Sequence, residues 1–354
     1  MNRHRTHSSL LRRAAVACAL GLVVAGCAAS LYGQMVDSAP LVAQSKPKPT
    51  FGVRNWQQAP AIVEIGAKGD ILAVGDVHGD YDRLVKLLNG AHVIANTPSH
   101  PANATWAAGN ATLVFTGDLL DKGTQALDVI ALIQTLQASA PAKGGQVILT
   151  MGNHEAEFLA DPSVDKVSDF RDELKHADIP VQDVVTGRHP LGAYLRSLPF
   201  GAKVNDWFFC HAGNTAGKTV PQLTAELQKG IDSIGFGAPV LSDPDSLIEA
   251  RLSPAPWWEN GKEPPLTVLS RYTAALGVQH IVMGHQPGGV TFADGSERKK
   301  GDVYQKGGLI FLIDAGMSRG VDHSKGALLR ISGPRHSDVT VVFPDGSTKP
   351  LWSR

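Results

Sequence analysis

The sequence predicts an α/β fold, and three observations carry that prediction. Six short apolar runs recur between residues 71 and 313: ILAV (71–74), ATLVF (111–115), QVILT (146–150), WFFC (207–210), HIVM (280–283) and LIFLI (309–313). Their length and their β-branched and aromatic content suit strands buried on both faces. Helical periodicity follows several of them, and strands alternating with helices read as α/β. Each run also ends in a Gly-containing turn carrying Asp, Asn or His. In such sheets ligands collect at the carboxyl ends of the strands, so these turns can converge.

The chain begins with Arg3, Arg5, Arg12 and Arg13 and no acid, followed by the apolar run AAVACALGLVVAG (14–26). A basic start and a short apolar stretch make residues 1–26 a secretory signal peptide; a membrane span needs about 20 apolar residues. VAGC (24–27) resembles a bacterial lipoprotein box, with ordinary cleavage nearby or an uncleaved anchor as the other readings. The resemblance implies lipidation of Cys27 and a lipid-anchored, periplasm-facing address in the bacterial envelope. Ala28, where Asp would signal inner-membrane retention, points to the outer membrane. Residues 27–60, with KPKPT at 46–50, read as a tether, and 61–354 as one domain. Without residues 1–26 the chain holds 29 basic and 33 acidic residues. That balance argues against nucleic acid and against a polybasic membrane contact. Beyond Cys18 and Cys27 only Cys210 remains, so the domain makes no internal disulfide.

From residue 70 the elements follow in order. DYDRLVKLLNG (80–90) places Leu84, Val85, Leu87 and Leu88 on one side, with Asp80 as N-cap and Gly90 as the stop. TQALDVIALIQTLQ (124–137) reads as a second helix. Residues 155–205 are charged and helical in character. Residues 214–265, with LSPAPWWEN and KEPPL, read as loop-rich. No internal repeat is present, and a monomer is expected.

The turns supply Asp76, His78, Asp118, Asn153, His211 and His285. Two carboxylates, an amide oxygen and three imidazoles suit Mn, Fe or Zn better than Ca or Mg. Six ligands exceed what one tetrahedral ion needs. If one carboxylate bridges, they serve two ions about 3.5–4 Å apart, the arrangement for in-line displacement at phosphorus.

GDVHG, GDLLDKG, GNHE, HAG and GHQP, in this order, resemble the calcineurin-like metallophosphoesterase superfamily. GDLLDKG with GNHE is similar to its phosphoprotein phosphatase branch, and most to the bacterial Shewanella-like phosphatases. The resemblance spans about 70–320. It implies a four-layer αββα sandwich with a dinuclear site at the strand ends. It also implies one metal on Asp76, His78 and Asp118, and a second on Asp118, Asn153, His211 and His285. Water shared by the two ions would attack phosphorus directly. His154 would protonate the leaving group, with Asp121 orienting it. Cys210 is left as a core residue.

Two departures from the family pattern bear on substrate. Lys122 stands where the family has Arg, and Lys meets phosphate as a point charge, not bidentately. Glu259, in PWWENG, lies near the place of a second Arg; Arg251, Lys262 or Arg271 could compensate. Trp257 and Trp258 either wall a groove or pack a loop. Asp314 reads as a strand-end turn residue without a ligand role; His280 and His323 receive no role. The expected activity is hydrolysis of phosphomonoesters on a phosphorylated protein. Small phosphate esters or dinucleotide polyphosphates are the alternative substrates, and a non-catalytic metal-binding lipoprotein is the alternative class.

Overall fold

A computed structural model describes residues 54–354 apart from 323; the signal peptide, Cys27, most of the tether and His323 lie outside the described residues. In chain order, strands β1 (Ile62–Ile65) and β2 (Ile71–Val74) lead to helix α1 (Tyr81–Gly90), β3 (Thr112–Phe115), α2 (Ala126–Ser139), β4 (Gln146–Leu149) and α3 (Asn153–Ala160). Helices α4 (Ser168–His176), α5 (Val181–Thr186) and α6 (Pro190–Ser197) precede β5 (Gly201–Val204) and β6 (Trp207–Cys210). Next come α7 (Val220–Ile234), α8 (Pro239–Ser242), α9 (Pro265–Leu276) and β7 (His280–Met283). A small hairpin, β8 (Val290–Thr291) and β9 (Glu297–Arg298), is followed by β10 (Tyr304–Lys306) and β11 (Ile310–Leu312). The meander β12 (Leu328–Ser332), β13 (Asp338–Val342) and β14 (Thr348–Ser353) completes the described chain.

Two six-stranded sheets result, ordered β1-β5-β6-β7-β11-β10 and β14-β13-β12-β2-β3-β4. The strands that end in motif turns pair in parallel within each sheet: β2 with β3 and β3 with β4, β6 with β7 and β7 with β11. Side-chain alternation explains the layers. Ile71, Ala73 and Val114 from one sheet and Trp207, Phe209, Val282 and Phe311 from the other share one buried cluster. Their sequence neighbours Leu72, Val74, Leu113, Phe115, Phe208 and Ile281 belong instead to the cluster that contains the helix residues. Strands β2, β3, β6, β7 and β11 are thus buried on both faces, sheet against sheet on one and helix on the other. That is why the runs read as continuously apolar, and it gives the αββα order.

Three details depart from the sequence reading. Asp80 does cap α1, accepting from the N–H of Arg83 at 3.3 Å, but Gly90 is the last helical residue and Ala91 the C-cap. Gly90 lacks a side chain for a different reason: a Cβ there would strike the carbonyl of Pro344. Within 214–265 the chain forms α7, whose Thr219 and Gln222 make a reciprocal capping box over buried Leu223, Leu227 and Ile231. The antiparallel strands β12 to β14 extend one sheet beyond the motif strands. Ahead of β1, Arg54 donates to the carbonyls of Ala59, Arg196 and Ser197 and stacks 4.6 Å from the Trp56 ring. No helix among the described residues is long and apolar enough to cross a membrane.

Candidate active site and metal centre

The structure brings the six motif residues together. Asp76 and His78 follow β2, Asp118 follows β3, Asn153 opens α3 after β4, His211 follows β6 and His285 follows β7. Both sheets contribute, and all six side chains are buried. Asp118 Oδ2 lies 3.6 Å from His78 Nε2 and 3.3 Å from His211 Nε2. His211 Nε2 lies 3.0 Å from Asn153 Oδ1 and 2.9 Å from His285 Nδ1. Asp76 Oδ2 is 4.0 Å from His78 Nε2. Asp118 therefore belongs to two groups of potential ligands, one with His78 and His154 and one with His211 and His285.

Hydrogen bonds around the rim fix which atoms face inward. His78 Nδ1 donates to the Leu120 carbonyl at 2.8 Å and His211 Nδ1 to that of Thr116 at 2.9 Å. His285 Nε2 donates to the Glu249 carbonyl at 3.1 Å. The Asn153 amide nitrogen points to Glu157 Oε1 at 3.5 Å, which turns its oxygen toward His211. With one ring nitrogen of each imidazole committed as donor, the other presents a lone pair. Acceptor atoms thus crowd against acceptor atoms at 2.9–3.6 Å. Such a constellation needs a positive charge at its centre, and this donor set fits borderline divalent metals. Without a cation, protons must fill the role. Burial opposes charge on His211, but Asp118 and Asp76 outweigh it and push the imidazole up to about 10. Burial and the neighbouring Asp314 raise Asp76 well above the usual carboxylate range.

The backbone is strained where the ligands sit. His78, Asp118, Asp121, Lys122 and His285 all adopt left-handed conformations, with φ between 47° and 67°. Each costs non-glycine residues on the order of 1–3 kcal/mol, and such strain concentrates at functional sites. Two glycines are fixed by close approach: a Cβ on Gly152 would collide with the Asp118 carboxylate, and one on Gly284 with that of Asp76. The strained Asp118 turn is held by Glu155, the last residue of GNHE. Its fully buried carboxylate accepts from the N–H groups of Gly152 (2.8 Å), Asp118 (3.0 Å), Leu119 (2.8 Å) and Leu120 (3.2 Å). Sequence reading assigned Glu155 nothing; its capping position three residues after Gly152 was the available signal.

His154 stands beside the cluster, its ring 4.9 Å from that of His78 and edge-on to it. Its Nδ1 donates to Asp121 Oδ2 at 3.0 Å, and Asp121 Oδ1 accepts from the N–H of Phe170 at 3.0 Å. Burial lowers the His154 pKa, but the fields of Asp118 and Asp121 prevail and raise it above the usual imidazole value. Lys122 is exposed, held through its backbone N–H to Asp169 at 3.1 Å. Arg251 is exposed, and its charge reaches His285 and Glu249. Arg271 is instead bound to Glu263 at 2.6 Å. Glu259 accepts from the N–H of Ala293 at 3.0 Å, which ties it to the loop after β8. Trp257 and Trp258 pack that region: Trp258 is fully buried and Trp257 stacks 5.0 Å from Tyr272. Cys210 is buried and desolvation pushes its thiol up to about 12, so it is no nucleophile.

Fold and site together define a metal-dependent phosphohydrolase class. Residues 69–289 match the family model for calcineurin-like phosphoesterases, and the chain belongs to that family. The family implies a dinuclear metal site, and the His and Asp clusters lie where it requires one. An uncharacterized protein of Schizosaccharomyces pombe is 26% identical over 290 residues, covering 74% of this chain and 77% of that one. Shewanella-like protein phosphatase 1 of Plasmodium berghei is 32% identical over 148 residues, covering 41% of this chain and 39% of that protein. Among solved structures, a cold-active protein-tyrosine phosphatase of a psychrophilic Shewanella species superposes with a TM-score of 0.63. It covers 82% of each chain at 22% identity and speaks for the fold alone.

Proposed function

We propose that the protein hydrolyses phosphomonoesters, with phosphorylated protein side chains as the substrate class and two ions of Mn, Fe or Zn. The observation that carries this reading is the convergence of Asp118, Asn153, His211 and His285 on one another, with the outer nitrogen of each imidazole held by a main-chain carbonyl. Asp76, His78 and Asp118 would hold one ion and Asp118, Asn153, His211 and His285 the other. Ions held there would supply Lewis-acid polarisation of the phosphoryl group and an activated water. Asp121 keeps the His154 imidazole oriented and charged, so that His154 can give its proton to the departing oxygen. Lys122 and Arg251 attract the phosphate dianion, and Arg251 is the cation that takes the place of the arginine Glu259 replaces. The likeness to Shewanella-like phosphatases over part of the chain supports a protein substrate.

Metal analysis of the purified protein, followed by assays on an aryl phosphate, phosphopeptides and dinucleotide polyphosphates, tests the proposal. Two bound ions and turnover of phosphopeptides are expected. Chelation should abolish turnover and lower the melting temperature, since ions at a hundredfold over Kd stabilise by about 2.7 kcal/mol. A metal-replete protein that turns over no phosphate ester would instead favour a binding lipoprotein, and preference for the dinucleotides would reassign the substrate.

We further propose lipid attachment at Cys27, facing the periplasm from the outer membrane, as the sequence of residues 1–28 implies. Cys27→Ser should release the protein from the membrane fraction; unchanged fractionation overturns the anchor.

A further inference from the structure

Asp314 closes the turn after β11, and three features set it apart from an ordinary turn residue. It is 1% exposed, and although Oδ1 accepts from the N–H of Gly316 at 2.9 Å, no donor reaches Oδ2. Its carboxyl group lies close enough to that of Asp76 for each to act on the other's charge, and its charge reaches His78. The turn is pressed against the Asp76 segment: a Cβ on Gly75 would collide with the Ile313 carbonyl. Arg298, itself 2% exposed, staples this arrangement from beneath. Its Nη2 donates to the carbonyl of Asp314, its Nη1 to that of Gln286 beside His285, and its Nε to that of Asp302 at 2.9 Å. All three acceptors are main-chain oxygens, so the guanidinium locks the turns after β7 and β11 together, and its charge also reaches the carboxylates of Asp314 and Asp76.

Two buried carboxylates side by side repel unless positive charge compensates them, and one guanidinium, that of Arg298, faces the pair. Asp76 already accepts both of its N–H contacts from the single backbone nitrogen of His285, at 3.0 and 3.1 Å. We propose that Asp314 is a positioning residue for the ion held by Asp76, His78 and Asp118. Its carboxylate fixes Asp76 and adds a buried negative charge that favours a divalent cation at that position over the one on the His211 side. This rests on the two-metal reading above.

The test is calorimetric titration of metal-free protein with Mn2+, together with thermal unfolding in both states, for wild type and Asp314→Asn. Wild type should bind two ions. The variant should bind one ion with unchanged affinity and the other roughly 10–100-fold more weakly, the usual cost of losing an outer partner of a metal ligand. The rise in melting temperature on loading with Mn2+ should be smaller for Asp314→Asn than for wild type, because the variant holds one ion more weakly. A merely structural role would lower both states alike, and that result overturns the proposal. So does a variant that binds both ions as wild type does. Asp314→Ser in the same titration removes the amide's own bonding as an explanation. Fewer than two ions on wild type would sink the underlying metal reading instead.

Discussion

Asp118→Asn is expected to disturb both metal positions at once and to lower turnover by roughly 10³-fold or more, about 4 kcal/mol of transition-state stabilisation. Asp118 Oδ2 lies within 3.6 Å of the inward nitrogen of His78 and 3.3 Å of that of His211, so one oxygen serves both groups. Its Oδ1 accepts from the N–H of His154 at 3.0 Å, which ties the bridge to the helix carrying Asn153 and His154. Burial alone would keep this carboxyl protonated, yet His211, His154 and His78 hold it well below the usual range, so it is an anion as folded. An amide has nearly the same shape and keeps the Oδ1 acceptor. It removes the charge that two cations share, and its NH2 would face imidazole nitrogens already poor in protons. Metal content after equilibrium dialysis, turnover of an aryl phosphate and melting temperature measure the outcome. An Asn variant that keeps two ions and wild-type turnover would remove Asp118 from the bridging role.

The parallel strands and their turns were legible because burial on both faces leaves an unmistakable apolar run, and because each run stops at a Gly beside a polar residue. WFFC and HIVM coincide with β6 and β7. The edge strand β14 was not legible for the converse reason: its burial pattern never turns fully inward and a proline interrupts it. Helix α7 was hidden by Pro221 in its first turn, where proline is permitted, within a segment crowded with other prolines. Of the site, the residue types that bind metals identify themselves. The residues that hold them do not. Arg298 sits in SERKKGD, where a run of charge reads as solvated surface, yet it is buried. Glu249 acts through its carbonyl on His285, a role no side-chain chemistry announces. Asp314 shared the form of the other strand-end acids, but only the structure puts it against Asp76.

His154→Gln separates metal chemistry from proton transfer. The variant should keep both ions, because Nδ1 of His154 is committed to Asp121 and, although His154 lies near His78 and Asp118, Asp76 supplies the third ligand of that group. What it loses is an acidic proton near the departing oxygen. A serine or threonine alkoxide is a poor leaving group and needs that proton; an aryl oxide leaves without it. Phosphoserine peptides should therefore slow by roughly 10²–10⁴-fold, the usual worth of a general acid. Aryl phosphate turnover should change far less. The pH profile carries the same information with a definite sign. The acid works only when protonated, and Asp118 and Asp121 raise its pKa above 6.5 against the effect of burial. Phosphopeptide turnover by the wild type should fall as pH rises through that raised value. The variant should lack this descending limb while keeping the one set by the metal ligands at low pH. Asp121→Asn, which leaves the imidazole in place without its carboxylate partner, should move the limb to lower pH. Equal slowing of peptide and aryl substrates by His154→Gln, or an unmoved limb in Asp121→Asn, would assign the proton to another group.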